Sequence, residues 1–202
     1  MTELEKLLSK KDDNFPWNNE VPIITHDNGD MEVYLTDTIQ EPIVYNELCH
    51  KLRLAPASST VTLHINTPGG IIDSAFMIID AMKASKAHVH GALSGTVASA
   101  GTIISLACTT LSVADHTAFM IHNYSGAVVG KGNEMRAHQE FVDKNLNVAF
   151  TSFYSGFLTA KEIKEVIDGR DLWFNKDEVL DRWTSKATPP AASKTRGRPK
   201  KA

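Results

Sequence analysis

Apolar and polar residues alternate through Val61-Thr62-Leu63-His64-Ile65-Asn66, the period of a strand with one face on a core. Thr67-Pro68-Gly69-Gly70 breaks the run, and beyond it Ile72, Ala75, Phe76, Ile79 and Met82 recur at helical spacing. Asp73 sits near the positive N-terminal end of that helix. Val89, Gly91 and Leu93 then read as a second strand. Strand, helix and strand in about 30 residues make a βαβ unit, with parallel strands and a right-handed crossover. Elsewhere the pattern predicts a strand over 31–36, a helix over 43–52 that stops before Pro56, a buried helix over 96–107, and strands at 111–114 and 118–122. Asn133–Tyr154 is long and amphipathic, with Val142, Leu146, Ala149 and Phe153 on one face, and predicts a helix. Thr159 to Glu162 and Asn175 to Glu178 each have capping-box spacing, so a helix should begin at both, with Gly169 closing the first and residues 170–174 a short connection. The class is α/β, helices layered on a parallel sheet.

The chain has 202 residues, enough for one domain with appendages. Residues 1–30 lack sustained periodicity and read as an N-terminal arm, with a helical turn near Leu4 to Leu8; 31–184 read as the domain and 185–202 as a disordered basic tail. From Thr184 onward there are six basic residues and no acid, and removing those six charges from a net −3 leaves −9 for the rest. An acidic body is a poor nucleic-acid surface, so any such contact belongs to the tail. Cys49 and Cys108, both in apolar stretches, read as buried reduced thiols, and with a start that lacks signal-peptide character they point to a cytoplasmic protein. Gly91 to Ala114 carries no charge but is dense in Ser, Thr and Gly, which lipid penalises; it reads as buried core, not a membrane span.

A nucleophilic site needs a hydroxyl or thiol at a turn, N–H groups aimed at the developing oxyanion, a base, and a carboxylate to orient the base. Gly95-Thr96-Val97-Ala98-Ser99-Ala100-Gly101 supplies the first two: Ser99 lies among small residues at the start of a predicted helix, and the Ala100 N–H faces the same point. Gly70, at the head of the preceding helix, offers a second donor. Ser94, Ser99 and Ser105 share one Ser-rich run, so helix capping explains Ser99 as well as chemistry does, and the G-x-S-x-G elbow motif is absent. Taken alone, His122 reads as a structural histidine and Asp171 as a partner of Arg170 or a cap; Asp168 has no motif behind it.

Asn66-Thr67-Pro68-Gly69-Gly70, the 95–101 segment, Phe119-Met120-Ile121-His122 and Arg170-Asp171-Leu172-Trp173-Phe174-Asn175, in that order, resemble the ClpP family of serine proteases, including the versions carried by bacteriophages. The similarity spans about Val33 to Trp183. It implies a ClpP/crotonase-like fold of repeated ββα units with a handle helix and strand. It makes Ser99 the nucleophile, His122 the base, Asp171 the orienting carboxylate, and Gly70 and Ala100 the oxyanion donors. Gly69 and the extended segment Ser125, Gly126, Ala127, Val128 are implied to bind peptide backbone by β-addition. The resemblance further implies a homo-oligomer, a heptameric ring or double ring enclosing the sites, fed unfolded protein by a separate AAA+ unfoldase. No cofactor or metal is implied, and no P-loop is present in the chain. Asn123-Tyr124 stands where the family has a polar residue and then proline, and Ala100 where it has Met.

Two readings of other classes stay open: a crotonase-like acyl-CoA enzyme using the same oxyanion amides with an acidic residue, and a catalytically silent assembly or DNA-binding subunit. Within the protease class, a phage capsid-processing enzyme would work without an unfoldase. Thr195-Arg196-Gly197-Arg198-Pro199-Lys200-Lys201 resembles an AT-hook, whose arginines suit the narrow minor groove of A·T-rich DNA; a single copy gives weak, salt-sensitive contact.

Overall fold

The computed structural model describes residues 21–187. The helical turn expected near Leu4 and the basic Arg196–Lys201 motif lie outside them.

Seven strands form one sheet: β1 (Ile23–Thr25), β2 (Met31–Leu35), β3 (Thr60–Thr67), β4 (His88–Ala98), β5 (Thr110–Val113), β6 (Ala118–Ile121) and β7 (Leu172–Phe174). The order is β1-β2-β3-β4-β6-β7, with β5 paired to the first half of β4. The four pairings β2–β3, β3–β4, β4–β5 and β4–β6 are parallel; only the edge strands β1 and β7 run antiparallel. Six helices complete the chain: α1 (Asn46–Leu54, entered through a 3-10 turn over Pro42–Tyr45), α2 (Ile72–Ala84), α3 (Ala100–Leu106), α4 (Gly132–Tyr154), α5 (Ala160–Ile167) and α6 (Lys176–Ala187). The α/β class and the predicted β3-α2-β4 crossover are as observed.

Alternation decides the core. Val61, Leu63, Ile65 and Thr67 of β3 are buried, while Thr62 and His64 face outward. Val33, Val61, Leu63, Ile65, Ile78, Ile79, Ile104 and Phe119 are wholly buried, and each such side chain is worth about 1.5–3 kcal/mol over its exposed state. The uncharged run 91–114 fills this core: all seven residues of α3 are buried. Both cysteines are buried and free, and burial pushes the Cys108 thiol up to about 12. No helix among the described residues is long and apolar enough to cross a membrane.

Four expectations about elements are corrected. A strand, β1, precedes the first one predicted. The helix expected from Thr96 starts at Ala100, because β4 continues through Ala98 to pair with β6. The continuation crosses Gly95 at φ +60°, where a Cβ would meet Asn66 Oδ1 at 2.8 Å; that same oxygen accepts the Thr96 N–H at 3.0 Å. Residues 172–174 form a strand in what read as a connection, since β6 has an open edge there. The segment 122–131 forms no ladder with the described residues.

Candidate active site

Ser99 links the end of β4 to the start of α3, at φ 53° and ψ −123°, and is the one non-glycine with positive φ among the described residues. Such a conformation costs about 1–3 kcal/mol and persists only where neighbours over-determine it. They do so here. The Ser99 N–H donates to the Met120 carbonyl at 2.9 Å, and the Ser99 carbonyl accepts the Thr102 N–H at 2.9 Å and the Thr102 hydroxyl at 2.6 Å. Thr102 Oγ1 in turn meets the hydroxyl of Tyr154, at the end of α4. Tyr154 is fully buried, which pushes its phenol well above the usual range, so it stays a neutral hydroxyl. The strand-to-helix elbow thus exists with only the second glycine of G-x-S-x-G: a Cβ on Gly101 would strike Thr67 Cγ2 at 2.5 Å.

The glycine pair after β3 crosses directly over this elbow. Gly69 has φ +96°, and a Cβ there would lie 2.5 Å from Ser99 Cβ. Its N–H is taken by Thr67 Oγ1 at 3.1 Å. Around Gly70, Ile39 N–H donates to the Gly69 carbonyl at 2.8 Å and Ile71 N–H to the Ile39 carbonyl at 2.9 Å. In a parallel bridge of this kind the central residue's own N–H points the other way. Gly70, Ser99 and Ala100 line one cavity, of about 1010 Å³. Ala100 is the first residue of α3, so its N–H has no partner inside the helix.

His122 follows β6 and lines the same cavity. The parallel register Ala98 to Met120 brings Ser99 alongside Ile121, one residue short of His122. Asp171 precedes β7; it is exposed and does not line the cavity. The antiparallel pairs Met120 with Trp173 and Ile121 with Leu172, carried one step further, set His122 opposite Asp171. Thus Ser99 and His122 share a cavity, Asp171 lies outside it one step beyond the end of the β6–β7 ladder, and among the described residues no hydrogen bond joins the three side chains. Before substrate binds, catalytic hydrogen bonds are commonly long.

Ser125, Gly126, Ala127 and Val128 also line the cavity, as backbone outside any ladder. The floor is apolar, from Phe76, Ile103, Leu146, Phe150 and Phe153. One carboxylate lines it, that of the exposed Glu41. Tyr124 Oη donates to Asp143 and accepts from Gln139 Nε2, tying the chain after His122 to α4; the Asp143 carboxylate raises the Tyr124 phenol. Among the described residues no group of three or more His, Cys, Asp or Glu is placed to hold a metal ion. The sequence pattern had pointed to neither Thr102 nor Tyr154; the only local signal was the three-residue spacing of Ser99 and Thr102.

Residues 23–182 match the family model for Clp protease. The chain belongs to the Clp protease family. Relatives within it are the ATP-dependent Clp protease proteolytic subunit 1 of Chlamydia caviae, 26% identical over 134 residues that cover 64% of this chain and 70% of that one. The proteolytic subunit 1 of Protochlamydia amoebophila is 27% identical over 159 residues, 74% and 75% of the two chains. The proteolytic subunit 2 of Thermobifida fusca is 29% identical over 156 residues, again 74% and 75%. All the Clp-family segments discussed above, from the β3 turn to β7, fall inside the matched range.

Proposed function

We propose that this chain is the proteolytic subunit of a compartmentalised serine endopeptidase, with Ser99 as nucleophile, His122 as general base and Asp171 orienting it. Ser99 Oγ attacks the scissile carbonyl while His122 takes its proton. The oxyanion is held by the Gly70 and Ala100 N–H groups, and His122 returns the proton to the leaving amine. Water activated by His122 then cleaves the acyl-enzyme. Peptide lies along 125–128 by backbone pairing; this segment lines the cavity and pairs with no strand among the described residues. The single observation that carries this reading is the over-determined backbone of Ser99 at a cavity it shares with His122.

The relatives are ATP-dependent Clp protease subunits by name, which supports a partner that uses ATP, and we assign that role to a separate unfoldase. Exposed Phe141 and Val148 on α4, seven residues apart and so on one face, support assembly with further copies. Labelling with a fluorophosphonate serine probe, with assembly mass measured on the same samples, tests the proposal. Wild type should label and Ser99→Ala should not, with His122→Ala slowed at least a hundredfold, roughly the scale of a lost triad base. A wild type that assembles yet never labels, peptide present or not, would leave a silent assembly subunit.

A further inference from the structure

The antiparallel ladder of β6 with β7 ends at Ile121 and Leu172, one step before the positions of His122 and Asp171. No ladder hydrogen bond therefore fixes the spacing of those two. On the far side of the gap one side chain spans it: Asn123 Nδ2 donates to the Ile167 carbonyl at 3.0 Å. The Asn123 side chain is itself held, because its Oδ1 accepts the Tyr124 N–H at 2.9 Å.

Ile167 is the last residue of α5, and the last four carbonyls of a helix need partners from outside it. Three are met by the turn that follows: Lys164 O by the Asp168 N–H, Val166 O by the Gly169 N–H and Glu165 O by the Arg170 N–H, all at 2.9–3.0 Å. The fourth, Ile167 O, is met by Asn123. Gly169 at φ +104° turns the chain, and Arg170 Nη1 grips Glu165 at 2.6 Å, so the path from Ile167 to Asp171 is short and stiff. A displacement at Ile167 is passed on to Asp171.

We propose that Asn123 is a positioning residue, which clamps the end of α5 to the end of β6 and so holds Asp171 at its working distance from His122. The proposal rests on the protease reading above. It also gives Asn123, which stands in the family's polar position, a task that depends on an amide donor.

The test is a double-mutant cycle on a fluorogenic peptide, using the full chain in its assembled form. Asn123→Leu, close in volume and lacking the donor, should lower kcat about tenfold to a hundredfold and change KM by much less, because Asn123 lines the cavity but lies outside the 125–128 backbone that pairs with peptide. Asn123→Gln, which restores the amide, should recover most of the loss. In an Asp171→Ala background Asn123→Leu should cost nothing further, because the group it positions is gone. Where Asn123→Leu fails to assemble, Asn123→Ser, whose hydroxyl is too short to span the gap, takes its place in the cycle. Equal losses in both backgrounds, or a kcat within twofold of wild type, would make Asn123 a helix cap only and overturn the proposal. A wild type as inert as Ser99→Ala overturns the protease reading and takes this proposal with it.

Discussion

Ser99 shows how a single residue's backbone can be read chemically. A positive φ on a serine is held by one hydrogen bond to the Met120 carbonyl, two from Thr102, and a glycine laid against its Cβ. Gly69→Ala should therefore displace Ser99 itself, and fluorophosphonate labelling should fall more than tenfold, on the order of a 1 Å misplacement. Gly70→Ala forces a Cβ to 2.2 Å from the Ile39 carbonyl and should lower stability by about 2–4 kcal/mol, read as a drop in Tm. Gly126→Ala is the control: nothing lies within 4 Å and its φ is ordinary, so Tm should shift by no more than about 0.5 kcal/mol equivalent. Tyr154→Phe removes the hydroxyl that backs Thr102 and leaves a buried acceptor short of a partner. About 1–2 kcal/mol of stability should be lost, by denaturant titration, with slower labelling of Ser99. Ser99 itself was legible as a candidate from its small neighbours. Thr102 and Tyr154 were not, since they lie 52 residues apart and meet only through packing.

Among elements, α5 is the most fully specified by local sequence. Its capping box is formed as predicted: the Glu162 N–H donates to Thr159 Oγ1 at 3.2 Å, and Glu162 Oε2 accepts the Thr159 N–H at 2.8 Å. Asn175 and Glu178 exchange the same pair of bonds at the head of α6. Glu162 also takes Arg182 of α6 at 2.8 Å, and that guanidinium chiefly holds its carboxyl down to about 2 against an ordinary 4.5. A lowered carboxylate stabilises the fold fully above about pH 5 and loses that contribution as pH falls towards 2. After allowance for solvent screening about 1–2 kcal/mol is at stake. Thermal melts of wild type between pH 2 and 6 should show this acid loss, and Glu162→Gln should start lower at pH 6 and lose less on acidification. The β4-α3 boundary, by contrast, was misplaced by its local pattern. Thr96 to Ala98 has small residues compatible with a helix, and only the waiting edge of β6 makes it strand.

At the scale of the molecule, β4 is the spine. Its eleven residues pair with β3 along one side and with β5 and then β6 along the other, so its end delivers Ser99 beside the strand that ends in His122. The helix α4, of 23 residues, is about 34 Å long and buries only Tyr154 fully. Phe141 and Val148 are each 68% exposed and, seven residues apart, share one face of α4. Phe141→Glu with Val148→Glu should lower the assembly mass in sedimentation while leaving the monomer's Tm within about 0.5 kcal/mol equivalent.

The sequence by itself determined what depends on near neighbours: the alternating face of β3, the glycine turn at 67–70, the capped starts of α5 and α6, and the order of motifs that marks the Clp protease family. Each follows from side-chain period, a glycine's access to positive φ, or a bond across three residues. Tertiary structure decided what depends on pairing at a distance: where β4 ends, that 172–174 is a strand, that Tyr154 backs Ser99 through Thr102, and that the ladder of β6 with β7 stops one step short of His122 and Asp171. The physical reason is that a hydrogen bond or a packed face between residues many positions apart leaves no period in either segment, so it appears only once both are held in one sheet.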